Sequence, residues 1–207
     1  MNRILITSGP TREYLDPVRY LTNGSSGRMG AALAEAVLRQ GGLPVLVSGP
    51  VVISYPTEAE VYWVETTEQM LLRSLELFPH SDGVIGAAAP CDFRPIAFSP
   101  QKIAKSKNGN GKTLPLAETP DILAALGTIK RPDQWSVAFA LETEEGVSKA
   151  LKKLKQKNCD FVVLNTPDAI NKSESSFQVF DRTGERRTHF TGSKKVFAEE
   201  LLRLITR

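Results

Sequence analysis

The chain has 207 residues, 41% hydrophobic and 24% charged, enough to bury a core as a single domain over 1–207 without help from metals or disulfides. A balance of 26 basic against 23 acidic residues leaves a charge of only +3, which demands no nucleic-acid partner, and no apolar run approaches the length of a membrane span. Cys91 and Cys159, with only His80 and His189 beside them, form no zinc-ligand spacing, so a structural metal site is not expected.

The start Met1-Asn2-Arg3-Ile4 has no charged-then-apolar leader, so a reducing cytosol and free thiols are expected. Arg3 to Ser8 is a short β-branched run broken at Gly9-Pro10, as a buried parallel strand is. Gly27 to Gln40 carries Met29, Leu33, Ala36 and Val37 at helical spacing, with Gly41-Gly42 as a stop. Strands are expected at 44–48 and 61–64, a helix from Thr67 to Phe78 capped by Thr66 or Thr67, and a strand from Gly83 to Ala89. From Pro90 to Glu118 four prolines and a polar run leave about 25 residues without helical period, which reads as a lid or a disordered loop. Regular structure resumes at Pro120 to Leu126, then a strand at 135–140, a helix from about Glu144 to Asn158 and a strand at 160–164. Phe177 to Thr188 reads as a hairpin turning at Thr183-Gly184, and a helix from Lys194 to Ile205 closes the chain. The alternation predicts an α/β fold: a Rossmann-like three-layer sandwich on a mostly parallel sheet, with a long flap and a C-terminal β-hairpin plus helix.

In such sheets ligands lie beyond the carboxyl ends of the strands. The loop after the first strand ends in Asn23-Gly24-Ser25-Ser26-Gly27-Arg28-Met29-Gly30, glycines and hydroxyls set before a helix whose free N–H groups favour an anion. Two readings stand: a phosphate cradle, or turns of glycine with Ser26 as the helix cap. The spacing is not the dinucleotide fingerprint, and the second strand ends in Ser48-Gly49-Pro50 rather than an acidic residue, which disfavours NAD. Gly109-Asn110-Gly111-Lys112-Thr113 imitates the end of a P-loop, but position 106 is Ser and no strand leads into it, so a solvated turn is expected.

The runs Gly9-Pro10-Thr11-Arg12-Glu13, Leu15-Asp16-Pro17-Val18-Arg19-Tyr20 and Asn23 to Gly30 closely resemble the signature of phosphopantothenoylcysteine synthetase, also named phosphopantothenate–cysteine ligase. Ala87 to Pro95, Lys102-Ile103-Ala104-Lys105, Thr119-Pro120-Asp121-Ile122-Leu123, Phe139 to Thr143 and Lys153 to Asn165 follow in that family's order. The resemblance implies a step of coenzyme A biosynthesis. A nucleotide, CTP for bacterial-like motifs such as these, activates 4′-phosphopantothenate to an acyl-cytidylate with loss of pyrophosphate, and the amine of cysteine displaces CMP. It further implies Mg²⁺ or Mn²⁺ with ligands unassigned, a homodimer, and, with Met1 at the ligase start, only the ligase half of a bifunctional protein. No flavin is then expected, and a separate decarboxylase becomes a possible partner.

Carried over residue by residue, the resemblance gives Asn23 and Lys102 catalytic roles. Asn23 would donate to the substrate carboxyl and the acyl-cytidylate, and Lys102 would swing onto the phosphates. Arg19, Asn23, Ser25 and Ser26 fall to the substrate, although an Asp16–Arg19 ion pair would explain Arg19 equally. Gly9, Asp92, Lys102, Thr119, Pro120, Asp121, Ile122, Phe139, Lys153 and Lys157 fall to the nucleotide. Each has a plainer reading: Asp121 as a helix cap, Phe139 as core, and Lys102, Lys105, Lys107, Lys153 and Lys157 as solvated charge. Pro90-Cys91 departs from the small aliphatic pair usual in the family, and Cys91 has no nearby base to make it catalytic. The competing functions are a nucleotide- or phosphopantothenate-binding regulator that has lost turnover, and a dinucleotide-dependent reductase.

Overall fold

The computed structural model describes residues 2–105, 111–142, 145–165 and 174–206. The beginning of the P-loop-like run, Lys107 and the expected helix start at Glu144 lie outside them. Elements in chain order are β1 (Arg3–Ser8), β2 (Arg12–Tyr14), β3 (Tyr20–Thr22), α1 (Arg28–Arg39), β4 (Leu43–Ser48), β5 (Glu60–Trp63) and α2 (Thr67–Leu77). After a 3₁₀ turn at Phe78–His80 come β6 (Gly83–Gly86), β7 (Phe93–Pro95), β8 (Leu116–Glu118), α3 (Ile122–Ile129) and β9 (Trp135–Leu141). The chain finishes with α4 (Gly146–Gln156), β10 (Phe161–Asn165), β11 (Glu174–Asp181), β12 (Arg186–Ser193) and α5 (Lys194–Ile205).

One eight-stranded sheet runs β12-β11-β10-β9-β6-β1-β4-β5. Its six parallel strands, numbered in chain order, read 3-2-1-4-5-6, the Rossmann arrangement, and the antiparallel β11–β12 hairpin is added beyond β10. Alternate side chains divide the core into layers. Ile4, Ile6, Leu46, Ile85 and Val163 face α1 and α5, while Leu5, Val45, Val47 and Val84 face α2 and α3. Ala138, Ala140, Val162 and Leu164 complete that second face under Ala150 and Leu154 of α4. Strands buried on both faces explain why β1 and β4 read as continuous apolar runs rather than alternating ones.

Three local expectations need correction. Ser26 does not cap α1: the N-cap is Gly27, in the left-handed region at φ 75°, and no side chain bonds the first turn. The strand expected to reach Ala89 stops at Gly86, since beyond it only Ala89 keeps a bridge, to Pro10. The segment from Pro90 to Glu118 is not wholly irregular, because β7 and β8 pair as a ribbon at its base. Strands of three residues leave no periodic signal, and the same brevity hid the β2–β3 hairpin. At α2 the capping alternative resolves to Thr66, whose hydroxyl accepts from Gln69 N (3.2 Å) while the Gln69 side chain accepts from Thr66 N.

Candidate active site

The strand order reverses between β1 and β6, so their carboxyl ends splay apart and open a crevice. Helix α1 is aimed into it. Gly30 lets the helix descend onto β1: a Cβ there would lie 2.0 Å from Ser8 Oγ. Its first turn has no side-chain cap and no acidic residue, and instead begins with Arg28. A cation at that end opposes the helix dipole, at a cost of about 0.3–1 kcal/mol. Lys194, the first residue of α5, faces the same space, and burial together with the Arg28 charge pushes its pKa down. Two cations set against helix N-termini break a local rule in the way an anion site does.

Three cavities around this end hold residues that the sequence predicted. The first, about 190 Å³, is lined by Gly24 to Met29, Ala87 to Ala89, Phe139 to Leu141, Asn165 and Lys194. The second, about 410 Å³, holds Thr7, Gly86, Ala88, Pro90 to Phe93, Glu118 to Leu123, Phe139 and Lys157. Ala88 and Phe139 belong to both, so the two are neighbours. The third, about 330 Å³, brings Asn23, Ser25 and Ser26 beside Pro10, Arg12 and Tyr20.

The structure thus brings Asp92, Thr119, Pro120, Asp121, Ile122, Phe139 and Lys157 to one cavity and Asn23, Ser25 and Ser26 to another. Asp121 serves two functions there: its Oδ1 caps α3 through Ala124 N (3.0 Å), and its Oδ2 meets Lys157 Nζ at 2.9 Å. Asp121 is thus the helix cap, and it also lines the second cavity. Lys157 reaches across because it sits at the C-cap of α4. Phe139 belongs to both readings too, packing edge-on against Phe197 in the core while lining two cavities.

Gly9, Arg19, Lys102 and Lys153 line none of the three. The carbonyl of Gly9 accepts from Ala89 N (2.9 Å) and so joins the loops that follow β1 and β6. Lys153 pairs with Glu142 at 2.7 Å. Arg19 makes the ion pair with Asp16 (2.7 Å) and also donates to the Ile103 carbonyl (2.5 Å). Lys102 is exposed on the flap beside Ile103. Asn23 Nδ2 donates to the carbonyls of Pro90 (2.9 Å) and Ala89 (3.3 Å), a second tie between the two loops.

Sequence reasoning missed the buried support of this crevice. Thr11 Oγ1 accepts from Cys91 N (2.8 Å) and meets Thr67 Oγ1 at 2.8 Å, while Thr119 Oγ1 donates to Cys91 O. Glu13, 6% exposed, accepts from Thr67 N at the start of α2. Cys91 is buried, and that burial pushes its thiol pKa up, as expected of a packing residue rather than a nucleophile. Lys194 and Asn165 were also missed. A lysine in a helix-start signal and an asparagine ending a strand carry no local mark of a shared cavity.

Among the described residues no group of three or more His, Cys, Asp or Glu could hold a metal on its own. Mg²⁺, however, binds through one or two carboxylates plus substrate phosphates, and Asp92 in the lining of the second cavity fits that limited part.

The whole chain, residues 1–207, matches the family model described as the DNA/pantothenate metabolism flavoprotein C-terminal domain. The chain belongs to that family. A coenzyme A biosynthesis bifunctional protein CoaBC of Bacillus subtilis (strain 168) is 39% identical over 207 residues, covering 98% of this chain and 50% of that protein. A protein named cysteine/cysteine sulfinic acid decarboxylase, from an unknown prokaryotic organism, is 43% identical over 166 residues, 79% of this chain and 45% of its own length. The crystal structure of the C-terminal domain of a CoaBC protein superposes with a TM-score of 0.83 at 35% identity, covering 99% of this chain and 93% of that one. The chain spans about half the length of the curated relatives it matches. The flavoprotein name describes the family, and the matched stretch is its C-terminal domain.

Proposed function

We propose that this chain is a phosphopantothenate–cysteine ligase acting in coenzyme A biosynthesis, with CTP as the activating nucleotide. One observation carries the reading: seven residues that the family resemblance assigns to the nucleotide, scattered from Asp92 to Lys157, line a single cavity adjoining the Ser25-Ser26-Gly27 cradle. The relatives named CoaBC agree with it. The relative named a decarboxylase is matched over less than half its length and supplies no competing assignment for these residues.

In the proposed reaction a carboxylate oxygen of 4′-phosphopantothenate attacks the α-phosphorus of CTP and pyrophosphate leaves. The amine of cysteine then attacks the acyl carbon, loses a proton, and CMP departs. Both steps build negative charge on phosphate oxygens, which fixed donors stabilise more than water does. The uncapped N–H groups of α1, Arg28 and Lys194 are such donors. Asn23 Nδ2–H is directed at the Pro90 carbonyl, and a substrate oxygen entering there competes for the same donor. Lys102 would neutralise the phosphates when the flap lies over them. Bound Mg²⁺ or Mn²⁺, held by Asp92 and the triphosphate, would supply charge neutralisation.

Homodimerisation is part of the same proposal. Phe93, Ile96, Phe98, Leu114 and Leu116 are all exposed around the β7–β8 ribbon, an apolar surface that a second copy would cover. Buried free cysteines suit a reducing cytoplasm, and no described helix is long and apolar enough to cross a membrane.

The test is mass-spectrometric detection of phosphopantothenoylcysteine after incubation with 4′-phosphopantothenate, cysteine, CTP and Mg²⁺. Product formation supports the ligase. Saturable binding of CTP with no product would replace it with a regulatory binding protein.

A further inference from the structure

The sequence pattern around Asp16 was read only as one half of an ion pair, yet its environment is unusual. Asp16 is fully buried, and its two oxygens do different work. Oδ1 accepts from the backbone of its own turn, Val18 N and Arg19 N, both at 2.9 Å. Oδ2 faces the flap, accepting from Ile103 N (3.1 Å), 87 residues away, and from Arg19 Nε (3.0 Å). The guanidinium completes the grip by donating to the carbonyl of the same Ile103. Both backbone groups of one flap residue are therefore held by one ion pair. A further bond, Ser99 N to Leu15 O (2.9 Å), secures the segment four residues earlier.

We propose that Asp16, acting through Arg19, is a positioning residue that clasps the flap backbone at Ile103 and thereby sets where the neighbouring Lys102 stands. The role of Lys102 rests on the ligase reading above, whereas the clasp itself does not. A carboxylate needed only for its turn would use one oxygen, and here the second is spent on a distant strand of chain. Charge-assisted bonds of this kind are about twice as strong as neutral ones and fix direction as well as distance.

Asp16→Asn separates the two functions. The amide oxygen can keep the turn, but an NH₂ replaces the acceptor that meets Ile103 N–H and Arg19 Nε. Trypsin cleavage after Lys102 and Lys105 should accelerate about tenfold, because cleavage follows the opening of the segment. The product-forming kcat should fall between about tenfold and a hundredfold while KM for CTP stays within about twofold. Arg19→Lys, whose ammonium can meet the Asp16 carboxylate or the Ile103 carbonyl but lacks the fork that holds both, should fall between wild type and Asp16→Asn in both readouts. If Asp16→Asn does not fold, Ile103→Pro deletes the same bond from the flap side, and its cleavage is read after Lys105, because trypsin does not cut before proline. A folded variant with wild-type cleavage after Lys102 and Lys105 would overturn the clasp, and accelerated cleavage with unchanged kcat would overturn the positioning of Lys102. Should the wild type make no product, the ligase reading fails and proteolysis alone decides the clasp.

Discussion

Asp16 shows how much a single buried carboxylate can be made to hold. Desolvation alone would raise its pKa, but bonds from Val18 N, Ile103 N and Arg19 overcome it, lowering the value from 3.8 to about 2. A pKa depressed in the folded state contributes stability that is present above the unfolded value and is lost as pH falls through the folded one. The stability difference between wild type and Asp16→Asn, followed by denaturant unfolding, should therefore be constant above about pH 5 and shrink as pH falls towards 2. A difference that persists undiminished at pH 2 would mean the ionised carboxylate is not what the fold uses. Asp121 is predicted to lose on two counts when truncated. Asp121→Ala removes the α3 cap, worth about 0.5–2 kcal/mol, and frees Lys157 from its place at the second cavity, so KM for CTP should rise along with the drop in stability. A change in stability with unchanged KM would reduce Asp121 to a cap.

At the scale of elements, α1 is the part whose placement decides the site. Its N-terminus reaches the crevice because Gly30 lies against Ser8, so Gly30→Ala should destabilise by about 1–3 kcal/mol. Ser8→Ala in the same chain should not restore it, since a Cβ at residue 30 is 2.5 Å from Ser8 Cβ as well. Full recovery in a thermal melt would mean that only the hydroxyl is in the way. The same element shows what was legible in the sequence. The apolar runs of β1 and β4, the 3.6-residue period of α1 and a threonine cap before α2 are local patterns, and those elements stand where the patterns set them. The β2–β3 and β7–β8 ribbons were illegible because three-residue strands have too little sequence to alternate. Ser26 was read as a possible cap because its chemistry suits one. The backbone instead turns through a left-handed Gly27, leaving the donors open.

Across the whole molecule, the cavities are a consequence of strand order. Reversal between β1 and β6 gathers residues from the ends of β1, β6, β9 and β10 at one edge. The motifs of the resemblance come together there without being neighbours in the chain, joined by Asn165, which ends one of those segments without an assigned role, and by Lys194, which no motif announces. Gly9, Arg19 and Lys153 carry motif identities but take architectural contacts in this chain. Local spacing could not distinguish the two outcomes, because whether a loop cation faces a ligand or a carboxylate depends on which distant segment packs over it. The apolar β7–β8 ribbon gives the molecule-scale prediction for assembly: sedimentation should find a dimer, and Phe93→Ser with Phe98→Ser should shift it towards monomer. A wild-type monomer at micromolar concentration would remove the proposed dimer.

The most direct measurement is pyrophosphate release by the wild type and by Asn23→Asp, with 4′-phosphopantothenate, Mg²⁺ and either CTP or ATP, with and without cysteine. The account predicts release that requires phosphopantothenate, runs faster with CTP, and falls at least about tenfold in Asn23→Asp, where a carboxylate replaces the donating amide. No pyrophosphate with either nucleotide from folded protein would contradict it.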